Sequence, residues 1–191
     1  MKGEDVLGPI LRGKVVSLEP VRAADVPLIN RWWAIPDVIR YWGGIGVPSQ
    51  AQTEEWWERS ARSESGIIWA IRVADRTIGH AFLSIDWSNR SATSGMLLGE
   101  VDAWGKGYAG EVVRLRTRYA FEDLGLERLE SESVEGNVAM HRALERSGYR
   151  RIGRKHGAMV RGGERHASYL FQLLREEWEG PDFRYTTDIE T

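Results

Sequence analysis

The sequence predicts a mixed α/β domain of the α+β type, built on one mostly antiparallel sheet that contains a parallel βαβ unit. Three observations carry this prediction. Residues 66–73, 77–88 and 92–99 are strand-like runs joined by short polar links, Ala74-Asp75-Arg76 and Asn89-Arg90, the pattern of an antiparallel meander. Residues 107–123 then read as a helix lying between the last of these runs and a further strand at 129–134, the layout of a parallel crossover. Finally, 191 residues that are 42% hydrophobic and 28% charged match one globular domain large enough to bury a core without a disulfide or metal staple.

Taken in order, the alternating run Gly13 to Glu19 is a first strand, ended by Pro20. Arg22 to Trp33 and Asp37 to Trp42 are helical by composition and are separated by Pro36. Tyr41 to Pro48 is a glycine-rich loop that carries two aromatic residues. Ser49 or Thr53 caps a helix running to about Arg62. After the meander, the helix from Gly107 places Ala109, Val112, Val113, Ala120 and Leu124 on one face, with Arg114 and Arg118 off it. Val138 to Ser147 is a short helix stopped by Gly148. Strands at 149–154 and 167–173 flank a turn at 161–164. Residues 1–178 thus form one domain, and the acidic stretch 179–191 is expected to be a loose tail.

Composition excludes whole classes of chemistry. The chain has no cysteine, so thiolate nucleophiles, iron–sulfur clusters and disulfides are excluded, and its four histidines show no metal-ligand spacing. No stretch is long and apolar enough to span a bilayer, and the N-terminus has no secretory core, so a cytoplasmic, membrane-free protein is expected. The net charge of −2 argues against nucleic acid as a partner. Residues 104–166, however, carry 13 basic and 9 acidic side chains, a balance suited to a small polyanion.

The segment from Leu97 to Glu111 carries the chemistry. A strand ends, and the small residues Gly105, Gly107, Ala109 and Gly110 open a helix. Such residues let backbone N–H groups approach an anion at the positive end of the helix. It is neither the phosphate loop of nucleotide hydrolases nor a dinucleotide fingerprint, because the Lys-Ser/Thr pair and the third glycine are both missing.

This segment resembles the acetyl-CoA pyrophosphate motif of the GNAT acyltransferase superfamily, reading Trp104-Gly105-Lys106-Gly107-Tyr108-Ala109 with Trp in place of the usual Arg or Gln. The branch it resembles is that of the ribosomal-protein-alanine N-acetyltransferases. Leu124 to Leu129, Asn137 to Tyr149 and Ser168 to Trp178 look like further segments of that branch in the same order. The resemblance implies the GNAT fold and direct, metal-free transfer of acetyl from acetyl-CoA to a primary amine, by a monomer or homodimer. It implies that the backbone of Leu97, Leu98 and Gly99 pairs with pantetheine, and that N–H groups from Gly105 to Gly110 hold the pyrophosphate. It further implies roles near the cofactor for Lys106, Tyr108, Asn137 and Arg142, with Asn137 also readable as a helix cap.

At three acid or base positions of the family, this chain has Thr93, Met140 and Leu144. The candidates that remain are Glu132, which shares a strand face with Glu130, then Glu100, and behind them His80, Asp86 and Ser133. A site without a strong base fits an α-amine, since about a seventh of such groups are neutral at pH 7 against well under a thousandth of lysines. The expected acceptor is therefore a protein or peptide N-terminus. An aminoglycoside or other small amine, and a non-catalytic acetyl-CoA-binding scaffold, are the alternatives.

Nine tryptophans are the unusual count. Adjacent helical residues point about 100° apart, so the pairs Trp32-Trp33 and Trp56-Trp57 cannot both send two rings into one core. One ring of each pair is expected to face a groove or partner. Trp33, Tyr41 and Trp42 are the expected acceptor-binding residues, and the pocket they imply is apolar.

Overall fold

The computed structural model describes residues 8–42, 46–161 and 163–180, and the backbone of 187–188. Nine strands form one sheet: β1 (Ile10–Arg12), β2 (Val16–Pro20), β3 (Gly66–Val73), β4 (Arg76–Asp86), β5 (Ser91–Leu98), β6 (Arg128–Val134), β7 (Arg150–Arg161), β8 (Glu164–Leu174) and β9 (Thr187–Asp188). Their order across the sheet is β7-β8-β6-β5-β4-β3-β2-β1-β9. Every neighbouring pair is antiparallel except β5 and β6, which are parallel as the sequence predicts. The helices are α1 (Val26–Trp33), α2 (Pro36–Ile39), α3 (Gln50–Ala61), α4 (Tyr108–Arg118) and α5 (Val138–Glu145).

Alternation along the strands divides the interior into two cores. On one face Trp69, Ile71, Ala81, Leu83, Leu129 and Phe171 pack with Val112, Val113 and Leu115 of α4 and Leu144 of α5. On the other, Ala70 and Leu97 pack with Ile29 and Trp32 of α1 and Val38 of α2, flanked by Trp33, Trp42, Trp56 and Trp57. Two glycines permit close approaches. A side chain on Gly13 would overlap the Glu111 carboxylate, which accepts the Val15 N–H at 3.0 Å and so ties α4 to the β1–β2 turn. A side chain on Gly99 would overlap the buried Trp32 ring.

Some elements differ from expectation. The first predicted strand is a β1–β2 hairpin, turned between Gly13 N–H and the Val16 carbonyl at 2.8 Å. The helix after Gly107 keeps α geometry to Arg118 and closes with a π-type turn over Tyr119–Asp123. The strands flanking the 161–164 turn extend to Arg161 and Glu164, making a long two-stranded ribbon. Ser49, rather than Thr53, caps α3, its hydroxyl accepting from Gln52 N–H at 3.2 Å. Most of the expected tail lies outside the described residues, and its Thr187–Asp188 pairs with β1.

Candidate active site

The parallel pairing of β5 with β6 covers only Ser91 to Thr93 against Arg128 to Glu130, although both strands run on. At the fork, side chains replace the ladder. Ser94 Oγ donates to the Glu130 carbonyl and Ser131 Oγ to the Ser94 carbonyl, each at 3.0 Å. From α4, the fully buried Arg116 donates to the Gly95 carbonyl at 2.7 Å.

The register of β5 on β4 decides which amides face the opening beyond the fork. Gly99 N–H donates to the Ile78 carbonyl at 2.9 Å, so the ladder's alternation commits Leu97 to His80 and turns Met96 and Leu98 the other way. Of Leu97, Leu98 and Gly99, only Leu98 therefore presents its amide to the gap, and Met96 joins it. The Leu98 carbonyl is already taken by Trp104 Nε1–H at 3.0 Å.

Below the gap lies the start of α4. Gly105 and Gly107 have φ of 75° and 83°, the left-handed region that favours glycine, and a side chain at either would meet nothing within 4 Å. The helix has no side-chain cap, so the N–H groups of Tyr108 and Ala109 are open to an anion. Lys106 is exposed beside them, while Tyr108 packs on the core. Asn137 caps α5, its Oδ1 accepting from Met140 N–H at 3.3 Å, and Arg142 is exposed on that helix. An extended gap edged by unpaired amides, ending at an open helix N-terminus, fits the pantetheine and pyrophosphate of acetyl-CoA.

On the opposite face a cavity of about 680 Å³ lies between α3, the end of α2 and strands β3 and β4. Alternation along β4 sends His80, Phe82 and Ser84 to this side while Ala81, Leu83 and Ile85 enter the α4 core. Trp42 stands edge-on to Trp33, His80 and Phe82, with ring centroids 5.4, 5.8 and 6.4 Å away. Trp56 meets His80 from α3 at 6.0 Å. Each tryptophan pair divides as expected: Trp33 and Trp56 line the cavity, whereas Trp32 is buried and Trp57 donates to the Val21 carbonyl at 3.2 Å. Tyr41 lies outside the cavity lining. It rests near Gly136, whose Cβ position is 3.3 Å from the Tyr41 ring, at the turn before Asn137.

The two carboxylates expected to act as bases are both engaged. Glu100 accepts from Trp32 Nε1–H at 2.9 Å and pairs with Arg76 and Arg31. Glu132 pairs with Lys155 at 2.5 Å and accepts from Ser168 Oγ. Burial raises its pKa, but the hydrogen bonds from Lys155 and Ser168 and the lysine charge outweigh that and leave it lowered, which makes it a poorer base. Glu130 shares its face, beside Arg128 and Gln172. Asp86 holds the β4–β5 turn through Asn89, and the Ser133 hydroxyl is buried without a partner among the described residues.

His80 differs from these. Only 2% exposed, it is pushed down to about pKa 4 by burial, and its Nδ1 has no hydrogen-bond partner among the described residues. It is a neutral imidazole in the cavity wall, directly across the ladder from Leu97. The sequence signal for it is its phase with Phe82 and Ser84. Arg116 and Arg161 carry no local signal: the first sits inside an apolar helix face, and the second reaches the cavity from the tip of the β7–β8 ribbon. Among the described residues no group of three or more His, Asp or Glu side chains is placed to hold a metal, and no helix is long and apolar enough to cross a membrane.

A family model described as an acetyltransferase (GNAT) domain matches residues 16–150. An uncharacterized N-acetyltransferase, p20, of Bacillus licheniformis is 25% identical over 173 residues, covering 86% of this chain and 96% of that protein. Among solved structures, spermidine N-acetyltransferase from Vibrio cholerae in complex with CoA and spermine superposes with a TM-score of 0.81 at 18% identity, over 86% of this chain and 98% of that one. Mycobacterium smegmatis RimJ in complex with CoA-disulfide gives 0.76 at 19% identity, over 92% and 90% of the two chains.

Proposed function

The chain belongs to the GNAT acetyltransferase family and is an acetyl-CoA-dependent N-acetyltransferase, and on that premise we propose that its acceptor is the α-amine of a protein or peptide N-terminus. One observation carries the reading: among the described residues no acidic side chain lines the aromatic cavity, and the one histidine there stays neutral. A pocket of this kind has nothing to neutralise a polyamine or an aminoglycoside, and no group basic enough to deprotonate lysine. It takes an amine that is already partly neutral, attached to an apolar body. Phe82 adds a steric argument, since its ring fills the space above Gly95 and leaves no room for an acidic side chain at that position.

When bound, acetyl-CoA supplies the activated acetyl group. Met96 and Leu98 hold its pantetheine through their amides, the N–H groups at the start of α4 hold its phosphates, and Asn137 and Lys106 flank it. Trp33, Trp42, Trp56 and Phe82 desolvate and orient the acceptor. The neutral His80 accepts a hydrogen bond from the amine without taking its proton, which leaves for water as the nitrogen lone pair attacks and the thiolate departs. Thiol release with peptides of free N-terminus, Nα-blocked lysine peptides, polyamines and aminoglycosides tests this. Free α-amines should give the highest kcat/KM, rising with pH toward the amine pKa near about 8. A preference for polyamines or blocked lysine peptides would overturn it. Acetyl-CoA should also raise the Tm, and an unmoved Tm at millimolar ligand would refute the cofactor site.

A further inference from the structure

We propose that Arg161 is a specificity residue that binds a carboxylate carried by the acceptor in addition to its amine. The proposal rests on the cavity being the acceptor site. Among the described residues Arg161 is the one formally charged side chain lining it. One of its terminal nitrogens donates to the Ile39 carbonyl at 2.6 Å and to the Trp42 carbonyl. These fix the guanidinium without neutralising it. Its Nε is buried and has no partner among the described residues, and it forms no ion pair there, not even with Glu164, its exposed partner across the ribbon.

A partly buried guanidinium facing an apolar cavity with no counterion among the described residues is an energetic liability unless a ligand anion completes it. A carboxylate is the matching group, because its charge complements the guanidinium and it can accept a charge-assisted bond from the terminal nitrogen that the two carbonyls leave unused. Trp42 connects the two ends of the cavity, its carbonyl bound to Arg161 and its ring against His80. An acceptor lying along Trp42 therefore meets a neutral imidazole at one end and a cation at the other. The same charge repels a second ammonium, so this residue adds to the discrimination against polyamines. The carboxylate has two sources, an acidic side chain next to the peptide N-terminus or the free α-carboxylate of a short peptide.

The test compares acceptors that differ only in carboxylate or carboxamide: N-terminal Ala-Asp against Ala-Asn peptides with amidated C-termini, and Ala-Phe against its C-terminal amide. The wild type should favour at least one acid over its amide by about tenfold or more in kcat/KM, expressed mainly in KM. The pair that shows the preference identifies the source. Arg161→Gln, which still has a donor for the carbonyls, should bring the ratio within about twofold of one, and Arg161→Lys should keep part of it. Acetyl-CoA affinity should be unchanged in both variants. A wild-type ratio near one for both pairs, or a ratio that survives Arg161→Gln, would overturn the proposal. Phe82→Ala separates its failure from that of the premise: if the cavity is not the acceptor site, this variant leaves every KM unchanged, whereas a raised KM with no acid preference condemns the Arg161 assignment alone.

Discussion

Lowering the pH should destabilise the fold through His80, by an amount that its burial sets. An unfolded histidine titrates near about 6.5, whereas His80 in the native state is held at about 4 because protonation would place a charge in a wall with no partner for Nδ1. Below pH 6.5 the unfolded chain binds a proton that the native one refuses, so stability falls as pH falls and keeps falling until about pH 4. Two and a half units at about 1.4 kcal/mol each give about 3–4 kcal/mol in total, of which about 2 kcal/mol is lost between pH 7 and pH 5. Urea unfolding of the wild type and of His80→Leu at both pH values isolates this contribution, since other titrating groups act on both chains. The wild type should lose about 2 kcal/mol more than the variant over that interval. An equal loss, or an NMR titration of the His80 ring near 6.5, would refute the argument and with it the neutral imidazole proposed for the acceptor site.

Two further outcomes are expected. Gly99→Ala should cost about 1–3 kcal/mol, read as a fall in Tm, because its methyl group overlaps the Trp32 ring and that ring is held by Glu100. An unchanged Tm would mean that α1 can move off the sheet freely. Glu132→Gln should leave kcat/KM and its pH profile within about twofold of wild type, because Glu132 is bound to Lys155 and Ser168. Loss of the alkaline or acid limb would instead mark Glu132 as a base.

The sequence made elements with a buried face easy to read and left those without one obscure. Strands β3, β4 and β5 alternate because each faces two different cores, and the meander and parallel crossover follow from that pattern. Strand β7 has no buried face at all. Its residues 154–156 are Arg, Lys and His, and only backbone pairing with β8 extends it to Arg161. The three residues of β1 are too few for any period to register. In the site, the glycine-rich start of α4 announces itself locally, as do the paired tryptophans. The commitment of the Gly99 amide to Ile78 depends on register, which a single strand cannot reveal. Arg161 meets Ile39 and Trp42 across more than a hundred residues of chain, and no local pattern encodes such a meeting.

The position of Arg161 at the end of a ribbon has an evolutionary consequence. The sheet interior cannot change length without exchanging its two faces, so the walls formed by β3 and β4 are fixed hardware. The β7–β8 ribbon is under no such constraint, because most of β7 is solvated. Removing two residues from each strand retracts the tip by about 7 Å while preserving the pairing and the face on which Arg161 stands, and adding two advances it by the same step. Ribbon length thus acts as a ruler that sets where the cation stands along the cavity. Related chains can diverge in acceptor preference by small, balanced insertions there, leaving the acyl-donor side untouched.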